Sequence, residues 1–278
     1  MIKKVAVCGL GLMGGSMAKT LKKHTPCQVY GWNKPDSVVD CAIIDGAVDG
    51  YAEEAGWQEM DLLIVGLYPQ VAIDFLKEVM PKLKKGCLIV DMVGIKEYMV
   101  KSLEEDALAA GVHYIGGHPM AGREFSGYAY AQDTLFDGAS MILVQTKSSP
   151  LWAVDEIEGF FYELGFANVV RCSARQHDKM IAFTSQLAHV VSSAYIKSPE
   201  ALVHNGYSAG SYRDLTRVAK LNEDMWTELF IRNKEPLVEE IDQILKHLTE
   251  YRDAIQAENW DALRQLLKEG REIKESIG

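Results

Sequence analysis

The run Gly9-Leu10-Gly11-Leu12-Met13-Gly14 sits directly between the apolar stretch Val5-Ala6-Val7-Cys8 and the helix-forming stretch Ser16-Met17-Ala18-Lys19-Thr20-Leu21, and it constrains the fold more than any other feature of the chain. It reads as strand, tight turn and helix start. Gly9 allows the sharp turn, Gly11 lets backbone approach a phosphate, and Gly14 lets the helix pack closely on its own strand. An anion then sits on the positive end of the helix. Gly9, Gly11, Leu12, Met13 and Gly14 are therefore the candidate contacts to a dinucleotide pyrophosphate.

The pattern that follows fits this start. Residues 28–32, 61–67 and 87–91 are short apolar runs with β-branched residues, each closing at or next to a polar or glycine position, as buried parallel strands do. Helical stretches such as residues 70–77 lie between them. The alternation predicts an α/β fold: an N-terminal doubly wound parallel sheet of the Rossmann type, with ligands at the carboxyl ends of its strands. Residues 113–115 and 141–144 read as further strands, separated by an irregular segment over 116–138 whose length suggests a function. A helix over 152–164 and a strand over 169–172 complete this part. From about Ser173 the pattern turns to long helical periodicity, with a main loop over 206–210. The expected organisation is a dinucleotide-binding domain over 1–172 and an all-helical substrate and dimerisation domain over 173–278, whose extensive apolar faces suit a homodimer.

At 278 residues the chain has room for two domains of about 100–200 residues each. Its net charge of −10 argues against a nucleic-acid surface, although a few placed cations and helix ends still suit small anions. The five cysteines are scattered without a close pair, which reads as reduced thiols and neither a metal site nor a disulfide frame. No long apolar segment or cleavage-site pattern is present, so no membrane span or signal peptide is expected, and the cytoplasm is the expected compartment.

The residue ending the second strand discriminates between nicotinamide cofactors, because a carboxylate there accepts ribose hydroxyls and a cation accommodates a 2′-phosphate. Here the chain reads Trp32-Asn33-Lys34. Asn33 can hydrogen-bond either cofactor and Lys34 can pair with a phosphate, which favours NADP weakly and leaves NAD open.

Residues 116–127, Gly-Gly-His-Pro-Met-Ala-Gly-Arg-Glu-Phe-Ser-Gly, are far richer in chemistry than a plain connection needs. This segment is similar to a motif of the prephenate and arogenate dehydrogenases, which oxidise and decarboxylate a cyclohexadienol on the route to tyrosine. The resemblance continues in His177-Asp178-Lys179, Ser185-Gln186-Leu187-Ala188-His189 and Tyr212-Arg213-Asp214-Leu215-Thr216-Arg217, followed by Trp226. It implies that His118 hydrogen-bonds the ring hydroxyl as the catalytic residue, that His189 contacts substrate, and that Arg217 holds a substrate carboxylate with Asp214 one helical turn away. Ser185 and Glu124 join the implied substrate-binding set. On a regular helix Asp178, Ala182, Ser185 and His189 share one face, which would aim His189 into a cleft. The implied reaction is NAD(P)-dependent conversion of prephenate to 4-hydroxyphenylpyruvate. Arogenate as substrate and a catalytically silent NAD(P)-binding relative are the alternatives.

Two positions depart from the family pattern. Asp91-Met92-Val93-Gly94-Ile95-Lys96 carries Gly94 where a serine is common, so no hydroxyl is available there, and Gln186 stands where many relatives have a second histidine. Gln186 still hydrogen-bonds but does not titrate.

Overall fold

The structure, a computed structural model, describes residues 2–123 and 125–278. Eight strands form one sheet: β1 (Lys4–Cys8), β2 (Gln28–Trp32), β3 (Gly50–Tyr51), β4 (Leu62–Val65), β5 (Leu88–Asp91), β6 (His113–Pro119), β7 (Ser140–Val144) and β8 (Asn168–Arg171), in the spatial order β3-β2-β1-β4-β5-β6-β7-β8. The helices of this part are α1 (Leu12–His24), α2 (Ser37–Ile44), α3 (Ala52–Ala55), α4 (Pro69–Val79), α5 (Glu97–Ala110) and α6 (Leu151–Glu163). The second part is helical: α7 (Ala174–Ile181), α8 (Leu187–Tyr195), α9 (Gly210–Thr216), α10 (Glu223–Arg232), α11 (Lys234–Gln256) and α12 (Trp260–Ile277).

Alternation along β1 explains why the sheet is wound on both faces. Val5 and Val7 belong to one buried cluster with Met17, Leu21 and Phe161, while Ala6 and Cys8 belong to another with Phe75, Leu76 and Leu103. Each fully buried side chain of this size contributes about 1.5–3 kcal/mol relative to exposure, and the sheet domain has many of them. Inside the helical part the buried cluster is small, Ala182, Leu187 and Leu237, while Val238, Leu245, Leu248, Leu267 and Ile273 of α11 and α12 are exposed. Among the described residues no helix is long and apolar enough to cross a membrane.

The sheet corrects one expectation from the sequence. The segment from Gly116 is not irregular throughout, because β6 runs on to Pro119. Its first half pairs parallel with β5, up to Val90 opposite Ile115, and its second half pairs antiparallel with β7, placing His118 opposite Ile142. The glycine pair that disguised this strand is explained by crowding: a Cβ on Gly117 would stand 2.4 Å from the Asp91 carbonyl oxygen. His118 is thereby mounted on a strand that extends past the end of its neighbour.

Candidate active site

The glycine turn is built as its sequence implies. Gly9 has φ +92°, and a Cβ on Gly14 would lie 1.9 Å from the Gly9 carbonyl oxygen. Gly11 has nothing within 4 Å of its hypothetical Cβ, so the turn is open on the side a ligand would approach. Helix α1, which begins at Leu12 and Met13, has neither a side-chain cap nor an acidic residue in its first turn. Free amides behind an open glycine turn fit a pyrophosphate. Asn33 holds this turn in place: its Oδ1 accepts a hydrogen bond from the Leu10 amide (2.9 Å) and its Nδ2 donates to the Pro35 carbonyl (3.2 Å). Lys34 lies over the Trp32 ring at 5.8 Å.

His118 is the end of a relay whose direction can be worked out donor by donor. The Asp178 carboxylate accepts the backbone amides of Lys96 (2.7 Å) and Glu97 (2.8 Å) at the start of α5. A carboxylate only accepts, so the 2.7 Å contact between Asp178 Oδ1 and His177 Nδ1 assigns the proton to Nδ1 of His177. His177 Nε2 is then an acceptor, and the 2.9 Å contact to His118 Nδ1 makes His118 the donor there. Nε2 of His118 is left with a bare lone pair. Burial holds His118 well below its ordinary value, helped by His177 and by the buried Lys96 charge, so the ring stays neutral. Burial lowers His177 as well, against the pull of Asp178. Lys96 is itself fully buried, paired with Asp91, whose other oxygen accepts the Tyr114 hydroxyl at 2.7 Å.

The bare Nε2 faces Gly94. A Cβ built at Gly94 would lie 3.8 Å from His118 Nε2 and Cε1 and 3.6 Å from Leu229 Cδ2, all ordinary contacts. Gly94 thus stands between His118 and α10.

His189 belongs to the helical domain and is joined to the sheet-domain cluster through Trp226, by a route the helical-wheel argument missed. Between α7 and α8 the backbone makes a π-helical turn over Ala182–Gln186. A π turn adds one residue, so the side chains after it rotate relative to a regular helix. Asp178 and Ala182 point into the core, Gln186 takes the next core seat, and Ser185 and His189 are only partly buried. The four residues expected on one face are therefore split between two. Gln186 is consumed in the core, its amide oxygen accepting from Asn233 Nδ2 at 2.7 Å, so the hydrogen-bonding capacity expected of it is used inside the helical domain. The Ser185 carbonyl accepts from His189 Nδ1 at 2.9 Å, and the His189 ring stacks on Trp226 at 3.7 Å between centroids. Burial lowers His189 and the Arg217 charge adds to that lowering, which places Arg217 within electrostatic reach of it. Asp214 lies near the end of α9 and Arg217 opens the 3-10 turn that follows. Glu124 lies outside the described residues.

A buried neutral histidine with an unprotonated Nε2, in a chain whose glycine turn fits a dinucleotide, suits an NAD(P)-dependent oxidoreductase. The comparisons narrow this. Residues 17–170 match the prephenate dehydrogenase nucleotide-binding domain and residues 173–269 the prephenate dehydrogenase dimerization domain. The chain belongs to the prephenate dehydrogenase family. It is 30% identical to a prephenate dehydrogenase of Lactococcus lactis subsp. cremoris, over 99% of this chain and 78% of that protein. It is also 30% identical to a cyclohexadienyl dehydrogenase of Zymomonas mobilis, over 98% and 95%. Among solved structures, a prephenate dehydrogenase from A. aeolicus in complex with hydroxyphenyl propionate and NAD+ superposes with a TM-score of 0.88 at 27% identity, covering 100% of this chain and 99% of that one.

Proposed function

We propose that the chain oxidises and decarboxylates prephenate to 4-hydroxyphenylpyruvate, with His118 as the catalytic residue and Arg217, His189, Ser185, Asp214 and Glu124 as the substrate-binding residues. The observation that carries this reading is the fixed tautomer of His118, whose free Nε2 faces the junction of the two domains. A dinucleotide held at the glycine turn would supply the hydride acceptor, an oxidised nicotinamide, for the carbinol carbon. His118 Nε2 takes up the hydroxyl proton as that hydride leaves, and His177 and Asp178 stabilise the imidazolium that forms. The ring carboxylate departs as carbon dioxide, the ring becomes aromatic, and the proton held at His118 returns to the phenolic oxygen. Arg217 gives a charge-assisted contact to a substrate carboxylate, and His189, steadied by Trp226 and Ser185, lines the same end. Gly94 offers no hydroxyl, so orientation of the substrate hydroxyl falls to His118 and to water.

Gly9, Gly11, Leu12, Met13 and Gly14 hold the pyrophosphate, and Asn33 shapes the turn. Lys34 weakly favours NADP and leaves NAD open, since no carboxylate ends β2 and a lysine beside Trp32 is able to meet a 2′-phosphate. The uncovered apolar residues of α11 and α12 fit a homodimer through the helical domain. The cysteines are all unpaired, in keeping with a cytoplasmic enzyme.

The test is the absorbance of reduced nicotinamide in four mixtures, prephenate or arogenate with NAD or NADP. Prephenate with NADP is expected to give the highest rate. Turnover of arogenate alone would reassign the substrate, and cofactor binding without turnover in any mixture would make the chain a silent relative.

A further inference from the structure

Two carboxylates of the helical domain sit on helix N-termini of the sheet domain, and they are held very differently. Asp178 is 1% exposed, takes two amides of α5 and is wired to His177 and His118. Glu228, on α10, is only partly buried, and its Oε1 accepts a single amide, Gln70 N at 2.8 Å. Pro69 opens α4 without an N–H, so Gln70 supplies the first donor that helix has. One turn along the same face of α10, the Arg232 guanidinium covers the Tyr98 ring at 4.2 Å and donates to Gln70 Oε1 at 3.4 Å. The Tyr98 hydroxyl donates to the same oxygen at 2.6 Å. Gln70 and Tyr98 thus make one seat for Glu228 and Arg232.

Two other residues of α10 face the candidate active site. Trp226 stacks on His189, and Leu229 is buried in the sheet-domain cluster beside Gly94 and His118. We propose that Glu228 and Arg232 are positioning residues for substrate: they latch α10 onto α4 and Tyr98, and so set where Trp226 and His189 stand over His118. Asp178 is the fixed pivot of the domain junction and Glu228 its releasable side. The inference rests on the proposed function for the identity of the substrate, but the latch itself is a property of the two domains.

Steady-state kinetics of the full chain test it. Glu228→Ala is expected to raise KM for prephenate roughly 5- to 20-fold while kcat stays within about twofold. KM for the dinucleotide and the pH profile of kcat should not move, because neither His118 nor the glycine turn is altered. Glu228→Gln keeps an oxygen to accept the Gln70 amide and should remain within about threefold of the parent. Arg232→Ala should fall between the two, and it serves as the test if Glu228→Ala does not fold. An unchanged KM, or a loss confined to kcat, would overturn the latch. Hydrogen exchange gives a second reading independent of substrate: protection over residues 223–232 should drop in Glu228→Ala and Arg232→Ala, and unchanged protection would overturn the latch even if prephenate is not the substrate. A parent protein inactive on prephenate that still shows the drop would fail the proposed function and keep the latch.

Discussion

His118 hangs from a strand, backed by His177 and a carboxylate that takes two helix amides, whereas His189 sits just past a π turn and leans on one indole and one carbonyl. The inner end of the site is built from short hydrogen bonds among buried groups, where each donor has one acceptor and the proton positions follow. The outer end is partly exposed and held mostly by stacking and by α10. Rigidity is thus placed where a proton must move between fixed atoms, and adaptability where a substrate must enter and leave. If that division is real, damage to the inner end should appear in kcat and damage to the outer end in KM.

The largest effect belongs to His118. His118→Asn should lower kcat by roughly 10²- to 10⁴-fold with KM for prephenate within about threefold, measured under saturating dinucleotide. An unchanged kcat would remove His118 from the mechanism and dissolve the contrast between the two ends. The same residue sets the pH response. In the proposed mechanism its neutral form is the active one, and burial holds its pKa below 6.5, so the acid limb of kcat/KM should fall below pH 6.5. Stability has the same sign: between the unfolded value of 6.5 and the lower folded values of His118 and His177, the unfolded chain binds more protons, so stability should drop as pH falls through that window. A denaturation midpoint that does not change from pH 7 to pH 5 would contradict it.

Asp178→Asn comes next. One amide oxygen would have to serve the Lys96 amide, the Glu97 amide and His177 Nδ1, so at least one donor loses its acceptor and His177 loses the partner that fixes its tautomer. We expect kcat to fall roughly 10²-fold and stability by about 2–4 kcal/mol, read from kinetics and from urea denaturation. A variant that loses stability but keeps kcat would show Asp178 to be a domain clamp alone.

The order in which these features became visible follows from their range along the chain. The glycine turn, the flanking strands and the helical second half are local patterns, and the sequence shows them because each is set by neighbours a few residues apart. The second half of β6 was hidden because Gly116 and Gly117 have no strand-forming side chains; their identity answers to Asp91 and Lys96, which reach them only in the fold. The π turn was hidden for a related reason: Ala182–Gln186 carries no marker of the extra residue, and the heptad-like spacing of Asp178, Ala182, Ser185 and His189 points to a regular helix. His177 and Asp178 were visible as a motif, but their connection to His118 spans 59 residues and needs coordinates. Glu228 had no signal in the sequence, since a glutamate on an amphipathic helix is ordinarily a solvated one.

At the outer end, Arg217→Ala should raise KM for prephenate roughly 10- to 50-fold with kcat little changed, because it removes a cation from the side that receives a carboxylate. The nearby Arg217 charge lowers His189, so in this variant His189 should titrate at higher pH, a shift visible in its ring NMR signals. An equal KM would end the anchoring role and leave His189 as the main recognition group.

Gly94→Ser is the smallest change and the sharpest test of the boundary between the two ends. Gly94 does not adopt a positive φ, and the nearest atoms a Cβ there would meet, of Leu229 and His118, lie at 3.6–3.8 Å, so a serine should fold without strain. Its hydroxyl would stand between an inner group and a residue that α10 carries, within reach of His118 Nε2. If the inner end limits the rate by how well the substrate hydroxyl is oriented, the added hydroxyl should raise kcat by about 2- to 10-fold and leave KM nearly alone. If Leu229 and α10 instead set the depth of the pocket, the bulk should raise KM and leave kcat where it was. The first result would assign Gly94 to the rigid half of the site, and the second would assign it to the half that moves.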